Sequence, residues 1–301
     1  MKRVIVVGLA LSMVFSVLAL ADTFGEFKSG VGAQALAMGG AFVAVANGTA
    51  AVMWNPAGLA QTNDTRIGGM DTQLSGMYNY LSVAGMTTFA NFGIGLGYER
   101  MGSDSLDLPW SQSLIRGSLA TSFEGIGMIG ATVKYYTADA GDSITGSGLG
   151  FDVGFLFNIG DMVTIGANAS DVAGTTISWT TDAEDTVLGL YKVGAAFKLL
   201  DGQVVFATDV DFTNDGLGNT HAGLQFALIP ELALRGGIVL TKDFEVDRYT
   251  IGAGINIAGF SVDLAYQLIN AVEVDNTLVL SAELSLGSLL GETTEEAPAT
   301  E

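Results

Sequence analysis

Some charged side chains in this sequence could act together. They occur singly, at alternate positions of segments in which polar and apolar residues alternate. Alternate residues of an extended chain point to the same side, so these groups are expected to face one enclosed space. The candidates to line that space are Arg116, Lys134, Lys192, Asp209, Asp211, His221, Arg235, Arg248, Asp263 and Glu283. Their mixed signs favour structural neutralisation of a wall, with conduction or gating as the alternative.

One ion pair can be placed from the sequence alone. If Asp201-Gly202 forms a two-residue type I′ turn, Leu200 pairs with Gln203 and Lys192 falls opposite Asp211. Residues directly opposite in an antiparallel pair are close enough for their side chains to interact. We therefore expect an ion pair on the inner face.

The sequence lacks the residues that catalysis or metal binding would need. The sequence has one histidine, His221, and no cysteine, which excludes a typical zinc site. No nucleophile, base and orienting acid surround His221. The run from Gly93 to Gly97 lies in an alternating segment without a following helix, so it is not a phosphate loop. We expect no enzyme activity, no metal and no cofactor.

Asn55-Pro56-Ala57 is the strongest site motif. Asn can bond nearby backbone, while Pro fixes φ and removes a donor, so the pair makes a rigid turn. It lies in residues 30–60, a stretch rich in Gly and Ala that lacks the alternation of the later chain. Such a stretch suits a compact insert inside a larger β-structure. A structural turn is favoured, and a hatch element that shifts to open a path is the alternative.

The elements that must position these residues are strands. From Thr65 onward the sequence falls into alternating segments of about ten residues, which indicates strands with one apolar face. We predict fourteen: 65–74, 77–86, 91–100, 112–122, 126–138, 148–159, 162–171, 187–200, 203–213, 220–229, 231–241, 248–258, 260–270 and 277–286. Tight turns alternate with longer loops, predicted at 101–111, 139–147, 172–186, 214–219, 242–247 and 271–276.

Composition fits a membrane barrel. The chain is 49% hydrophobic and 15% charged, and its net charge of −20 argues against nucleic acid as a partner. After the N-terminus it contains no apolar run long enough for a helical span. An even strand number with short turns at one end and longer loops at the other is typical of bacterial outer-membrane barrels. The fold class predicted is a 14-stranded antiparallel outer-membrane β-barrel with a small N-terminal hatch or plug.

Residue size separates the two faces of these strands. Gly and Ala dominate the predicted inner face, as at Gly93, Gly95, Gly97, Gly194, Ala196, Gly223, Ala227, Gly252 and Gly254. Phe155, Phe157, Phe197, Phe226 and Leu234 fall on the outer face, where lipid is the expected partner. Small inner residues leave a lumen that something must fill. The segment before Thr65 is the candidate.

Four regions follow. Residues 1–21 have a basic start, an apolar stretch and the sequence Ala19-Leu20-Ala21, which predicts a cleavable signal peptide. Residues 22–64 are the predicted hatch, 65–287 the barrel and 288–301 an acidic, disordered periplasmic tail. The predicted location is the bacterial outer membrane.

Residues 32–46 and the sequence Trp54-Asn-Pro-Ala-Gly-Leu-Ala60 closely resemble the N-terminal signature of FadL-like outer-membrane proteins, most of all the PorV/PorQ-type branch. The resemblance implies a signal peptide, a hatch with the Asn-Pro-Ala motif and a fourteen-stranded barrel. It implies passive, hatch-gated uptake of small hydrophobic compounds that resemble fatty acids. The alternative, implied by the PorV/PorQ-type branch, is a scaffold or shuttle for secreted proteins, with an exported protein as partner.

Two features depart from the fatty-acid transporters of that family. The outer loops of this chain are too short for an extended ligand-capture region, and the last strand does not end in an aromatic residue. If uptake occurs, we expect an apolar pocket between hatch and outer loops, and a side opening or kink in the wall.

Overall fold

The computed structural model describes residues 24–28, 30–74, 78–103, 110–214, 216–270 and 276–290. The predicted signal peptide and the chain from residue 291 onward lie outside the described residues. The first three residues of the predicted tail are helical, because they belong to a short helix, Leu286–Leu290.

The described chain contains sixteen strands. Fourteen of them close into one antiparallel barrel, in which the first strand pairs with the last and β5 pairs with β6. The strands are β1 Thr65–Leu74, β2 Tyr78–Phe89, β3 Phe92–Ser103, β4 Trp110–Phe123, β5 Gly127–Asp139, β6 Thr145–Ile159, β7 Val163–Ser170, β8 Thr175–Trp179, β9 Glu184–Val187, β10 Leu190–Leu199, β11 Val204–Thr213, β12 Gly216–Ile229, β13 Leu232–Leu240, β14 Val246–Ile257, β15 Phe260–Ile269 and β16 Thr277–Ser285.

The predicted fourteen-stranded barrel is confirmed. The two strands that were not predicted, β8 and β9, pair with each other as a hairpin, and β8 also pairs with the start of β6. They lie in the predicted loop 172–186, except that β9 ends one residue beyond it, at Val187. Their segments are only five and four residues long, too short for alternation to stand out from a loop. The wall strand β7 ends at Ser170, below this hairpin.

One predicted long loop is wrong. β12 begins at Gly216, so the connection predicted at 214–219 is only two residues long. Residues 214–219 carry two Gly and two Asn, which lower strand propensity, but pairing with β11 carries the strand through most of them. The tight turns at the other end of the barrel lie where predicted. We call the end with the tight turns the turn end and the opposite one the loop end.

The outer face of the barrel is apolar. Large side chains that point away from the lumen are about half exposed or more, including Leu96, Leu119, Phe226, Ile257 and Leu280. A soluble protein rarely exposes a continuous apolar surface of this extent. The belt therefore identifies a barrel that crosses a membrane with its strands. Separately, no helix in the described residues is long and apolar enough to span a bilayer.

Residues 24–64, which we call the lumenal segment, lie inside the barrel; Ser29 is outside the described residues. The segment has two short helices, α1 Ala33–Ala37 and α2 Ala51–Trp54, and 3₁₀ turns at Gly25–Lys28, Gly48–Ala50 and Pro56–Ala60. Most of its described side chains from Val31 to Leu59 are buried. The helix at the C-terminus, Leu286–Leu290, is α3.

Candidate functional site: the occupied lumen

The lumenal segment packs directly on the backbone of the wall. At eleven inward-facing glycines a Cβ atom would come within 3 Å of an atom of the segment: Gly68, Gly93, Gly95, Gly97, Gly130, Gly154, Gly166, Gly194, Gly223, Gly237 and Gly252. The small inner face predicted from the sequence is therefore the surface on which the segment sits. At these eleven positions the segment and the wall are closely packed.

The Asn55-Pro56-Ala57 motif joins the segment to itself and to β6. Asn55 Nδ2 donates to Val43 O at 2.9 Å and to Phe155 O at 3.1 Å, while Asn55 Oδ1 accepts from Ala57 N at 3.2 Å. Asn55 is fully buried and begins the 3₁₀ turn, with Pro56 at its first position. The side chain thus makes three hydrogen bonds to buried or partly buried backbone groups.

Asp209 is the carboxylate that holds the segment most directly. Its Oδ2 accepts hydrogen bonds from Phe42 N at 2.6 Å and Val43 N at 2.8 Å, and the residue is fully buried. Both amides are buried, so each would lack a hydrogen-bond partner without this carboxyl group. A single side chain of β11 therefore fixes the middle of the lumenal segment to the wall.

The predicted register of β10 and β11 is the observed one. Lys192 lies opposite Asp211, and Lys192 Nζ is 2.7 Å from Asp211 Oδ1. His221 extends the cluster, since its Nε2 lies 3.1 Å from Asp211 Oδ2 and its Nδ1 lies 2.7 Å from Gly39 O. The histidine therefore bridges the ion pair and the lumenal segment.

A second charged network crosses β3 to β6. Arg116 contacts Glu99 at 2.6 Å and Asp152 at 3.5 Å, and Lys134 bonds both Asp152 and Asp171 at 2.6 Å. Arg116 and Lys134 were among the predicted candidates, whereas Glu99 and Asp171 were not. Alternation from Gly97 could have placed Glu99 inside. Asp171 follows the end of β7 with a φ of 55°, so no strand pattern could have placed it.

Replacing Arg116 with methionine is expected to lower the free energy of unfolding by about 3–5 kcal/mol, because Glu99 and Asp152 lose their shared buried counter-ion. Urea titration in detergent, followed by tryptophan fluorescence, measures the change. The matched control is Arg248→Met, because Arg248 and its partner Asp247 are 27% and 28% exposed and such pairs contribute about 1 kcal/mol or less. Equal losses in the two variants would contradict the network's role.

Arg248 lies at the loop end and pairs with Asp247 at 2.7 Å, whereas Arg235, Asp263 and Glu283 lie towards the turn end. Arg235 Nη1 donates to Asp263 Oδ1 at 2.6 Å and its Nε to Gln225. Glu283 accepts from Thr49 N at 2.8 Å and from Thr49 Oγ1, and it also pairs with Arg66 at 3.0 Å. Glu283 therefore joins β16, β1 and the lumenal segment.

Asp64, just before β1, lies outside the membrane-crossing strands. Burial of its carboxyl raises the pKa, but hydrogen bonds from Ser285, Arg66 and the amides of Gly287 and Thr65 outweigh burial and lower it. The start and the end of the barrel therefore meet at an ionised carboxylate.

One sector of the lumen, nearer the loop end than these groups, has a wall whose buried side chains are uncharged. In the described part of β14, β15, β16 and β1, the buried inward side chains are neutral from mid-height towards the loop end, where the partly exposed Arg248 of β14 is charged and pairs with Asp247. We call this set the uncharged arc: Met70, Thr72, Thr250, Ala265, Gln267, Thr277 and Val279. Helix α1 packs on this sector. Thr250 Oγ1 donates to Ala37 O at 2.8 Å, and Ala33 N donates to Ser281 Oγ at 3.0 Å.

Towards the loop end the lumen is filled by an apolar layer. Phe24 stacks edge-on against Tyr136 and Phe27 against Tyr80, with ring centroids 4.8 Å and 5.5 Å apart. Ile177 and Val187 of the β8–β9 hairpin are buried in the same cluster. The apolar pocket expected between hatch and outer loops is therefore occupied by the protein's own side chains.

Two open cavities lie towards the turn end, and a small one lies at mid-height. The first, of about 320 Å³, lies beside α1 and is lined by Arg66, Arg235, Asp263, Glu283 and neutral residues that include Val31, Ala35 and Met70. The second, of about 840 Å³, lies at the turns after β6 and β10. The small one, of about 30 Å³, is lined by Phe24, Trp54, Asn168 and Lys192 among others, and has room for about one water molecule. In the described residues no cluster of His, Asp and Glu could hold a metal ion.

A closed barrel of fourteen antiparallel strands with an apolar outer face and an occupied lumen defines a transmembrane β-barrel of the outer-membrane type. Solved structures of channels share this fold. The CymD monoaromatic hydrocarbon channel is 14% identical with a TM-score of 0.67, over 86% of this chain and 98% of the channel. The Ralstonia pickettii toluene transporter TbuX is 14% identical with a TM-score of 0.64, over 85% and 98%.

A Pseudomonas aeruginosa FadL homologue also matches, at 11% identity and a TM-score of 0.60, over 85% of this chain and 98% of that one. The FadL-like fold predicted from the N-terminal signature is thereby confirmed, whereas these structures do not bear on the PorV/PorQ-type branch. Neither a protein-family model nor a curated protein matches the sequence.

Proposed function

We propose that this protein is a passive channel of the bacterial outer membrane for small hydrophobic compounds, and that the lumenal segment is its hatch. The observation that carries the proposal is the apolar layer, in which Phe24 and Phe27 of the hatch pack on Tyr80 and Tyr136 of the wall and make the loop end of the lumen aromatic. A solute that partitions from water into such a layer gains free energy in proportion to the apolar area it buries.

The polar turn end of the lumen supports release of the compound on that side of the hatch. Beyond the hatch, the cavity beside α1 is lined by two arginines and two carboxylates. Apolar compounds bind weakly to charged, wet surfaces, so a compound that has passed the hatch is released there. The named neighbours, a monoaromatic hydrocarbon channel and a toluene transporter, support hydrophobic compounds as the substrate class.

The test is uptake into vesicles whose outer leaflet is lipopolysaccharide, because small hydrocarbons dissolve in and cross pure phospholipid unaided. Vesicles with the mature protein are expected to take up labelled toluene or palmitate at least about tenfold faster than empty vesicles, and to exclude sucrose. A variant without residues 22–62 is expected to admit sucrose, because the lumen loses its filling.

The matched control is Leu280→Ala, a change on the lipid-facing side of β16 that leaves the lumen intact. Toluene and palmitate uptake equal to that of empty vesicles, with sucrose excluded, would contradict the channel function. Because the truncated chain could fail to fold, its heat-modifiable migration on gels is checked first, and Asp209→Ala serves as the second opened variant.

The alternative function, a scaffold or shuttle for secreted proteins, has no feature of the described structure in its favour. A specific exported protein that co-purifies with the barrel from native membranes would support it.

A further inference from the structure

Helix α1 is bounded by glycines at both ends. Gly30 and Gly32 precede it with φ of 82° and 90°, and Gly39 and Gly40 follow it with φ of 69° and 77°. Positive φ at these values is open to glycine at no steric cost, and glycine is the residue that most readily changes it. A Cβ at Gly32 would meet no atom within 4 Å, so the chain has space to rotate there.

The anchors of the lumenal segment lie on either side of α1, outside it. Before the helix, Val31 O accepts from Trp54 Nε1 at 2.8 Å. After it, Gly39 O contacts His221 and the amides of Phe42 and Val43 bind Asp209. The five-residue helix thus lies between two hydrogen-bonded positions, Val31 and Gly39, each of which is at or beside a glycine.

The hydrogen bonds between α1 and the wall are single bonds to separate groups. Those that join residues 32–37 to the described wall go to the neutral groups Ser281 Oγ, Thr250 Oγ1 and Met70 Sδ. By contrast, one buried oxygen of Asp209 binds two successive amides of the segment, those of Phe42 and Val43. Of the eleven wall glycines that touch the segment, only Gly252 meets α1, through Ala37.

The cavity beside α1 and the apolar residues near it favour a path for apolar compounds along this helix. The cavity of about 320 Å³ borders Gly32, Gln34 and Ala35, and a cavity of about 150 Å³ is enough for benzene in a protein interior. A single buried cluster joins Phe24, Phe27 and Tyr80 of the apolar layer to Val31, Leu36, Ala265 and Val279. A buried apolar cluster therefore extends from the layer, past Met70, Ala265 and Val279 of the uncharged arc, to Val31 at the cavity.

From this arrangement we propose that α1 alone is the moving part of the hatch. It swings on its flanking glycines into the neighbouring cavity and opens a path for apolar compounds between the helix and the uncharged arc. The rest of the lumenal segment stays in place on Asp209, Asn55 and the wall glycines. This inference rests on the proposed channel function for the path, but the movement of α1 can be measured by itself.

A reversible disulfide cross-link tests the movement of α1. Because the sequence has no native cysteine, only the introduced pair can form a disulfide. Ala33→Cys with Ser281→Cys joins α1 to β16, where Ala33 N and Ser281 Oγ are 3.0 Å apart. The matched control, Val52→Cys with Gly95→Cys, joins the lumenal segment to β3 outside α1, where a Cβ at Gly95 would lie 2.6 Å from Val52 Cγ2. Each variant is compared, oxidised against reduced, for toluene uptake in the lipopolysaccharide vesicles.

Oxidation is expected to reduce uptake at least about tenfold in the first variant, to leave it within about twofold in the control, and to be reversed by dithiothreitol. A block in both variants would overturn the proposal, because the whole segment would then have to move. A block in neither would overturn it as well, because no movement of α1 would be needed.

Hydrogen exchange of the purified protein separates this inference from the channel function. The amides of residues 34–37 are expected to exchange at least about tenfold faster than those of Phe42 and Val43, and to slow on oxidation of the first variant. Fast exchange in a protein that shows no uptake would support the movement and reject the channel. Equally slow exchange in both regions would overturn the movement, whatever the uptake.

Discussion

Replacing Asp209 with alanine is expected to loosen the lumenal segment and to raise the ion conductance of the barrel in planar bilayers by roughly a hundredfold. The change removes the acceptor of two buried amides, those of Phe42 and Val43, which lie at 2.6 Å and 2.8 Å in the native protein. Each buried amide that is left without an acceptor costs about 1–3 kcal/mol, and 1.4 kcal/mol is about a tenfold change in an equilibrium. Losing both acceptors therefore shifts the equilibrium between the docked and the released segment by roughly a hundredfold.

Limited proteolysis in detergent provides a second measurement, because a released segment becomes a substrate while the barrel resists. The matched control is Asp263→Ala, since Asp263 bonds Arg235 of the wall and not the segment. Asp209→Asn, which keeps an acceptor of the same shape, should fall between the two. If Asp209→Ala conducts no more than Asp263→Ala, packing alone holds the segment.

Replacing Gly93 with alanine is expected to displace the 3₁₀ turn Pro56–Ala60 while the barrel still forms. A Cβ at Gly93 would lie 2.5 Å from Leu59 O and 2.6 Å from Leu59 C, both backbone atoms. Backbone inside a packed lumen cannot rotate away like a side chain, so overpacking of this kind costs about 1–3 kcal/mol. We expect roughly a tenfold rise in conductance and faster cleavage within residues 40–60.

Gly117→Ala is the matched control for this substitution. Gly117 lies on the adjacent strand and faces outward, and the nearest heavy atom to a Cβ there is Leu96 Cδ2 at 3.9 Å. The two variants have equal changes in composition and strand propensity, so a difference between them reports the contact with Leu59. Equal conductance in both would show that the segment can shift to accept the methyl group.

Much of the barrel could be predicted because strands and tight turns depend on residues that are close together in the sequence. Period-two alternation placed the wall strands, and the Asp201-Gly202 turn set a register that put Lys192 opposite Asp211. The observed connection between Leu199 and Val204 has four residues, but its register is the one that a two-residue turn at Asp201-Gly202 predicts.

The contents of the lumen could not be predicted in the same way. Asp209 and the amides it binds are 166 and 167 residues apart, and no periodicity links them. Asp171 lies in a left-handed turn after β7, and the β8–β9 hairpin is too short for its pattern to be distinguished from a loop. The filled apolar layer depends on both Asp171 and the β8–β9 hairpin. The sequence therefore predicted an empty pocket at a place that the structure fills with side chains.

Glu283 has a consequence for the order of assembly. The lumenal segment is synthesised first, yet Thr49 binds a carboxylate 234 residues later, on the strand that closes the barrel against β1. Arg66, on the other side of that seam, binds the same carboxylate. Contacts so distant along the chain form late, because the loop between them must be ordered first. Sealing of the seam and seating of the segment should therefore occur as one final step, so that an unfinished barrel remains open.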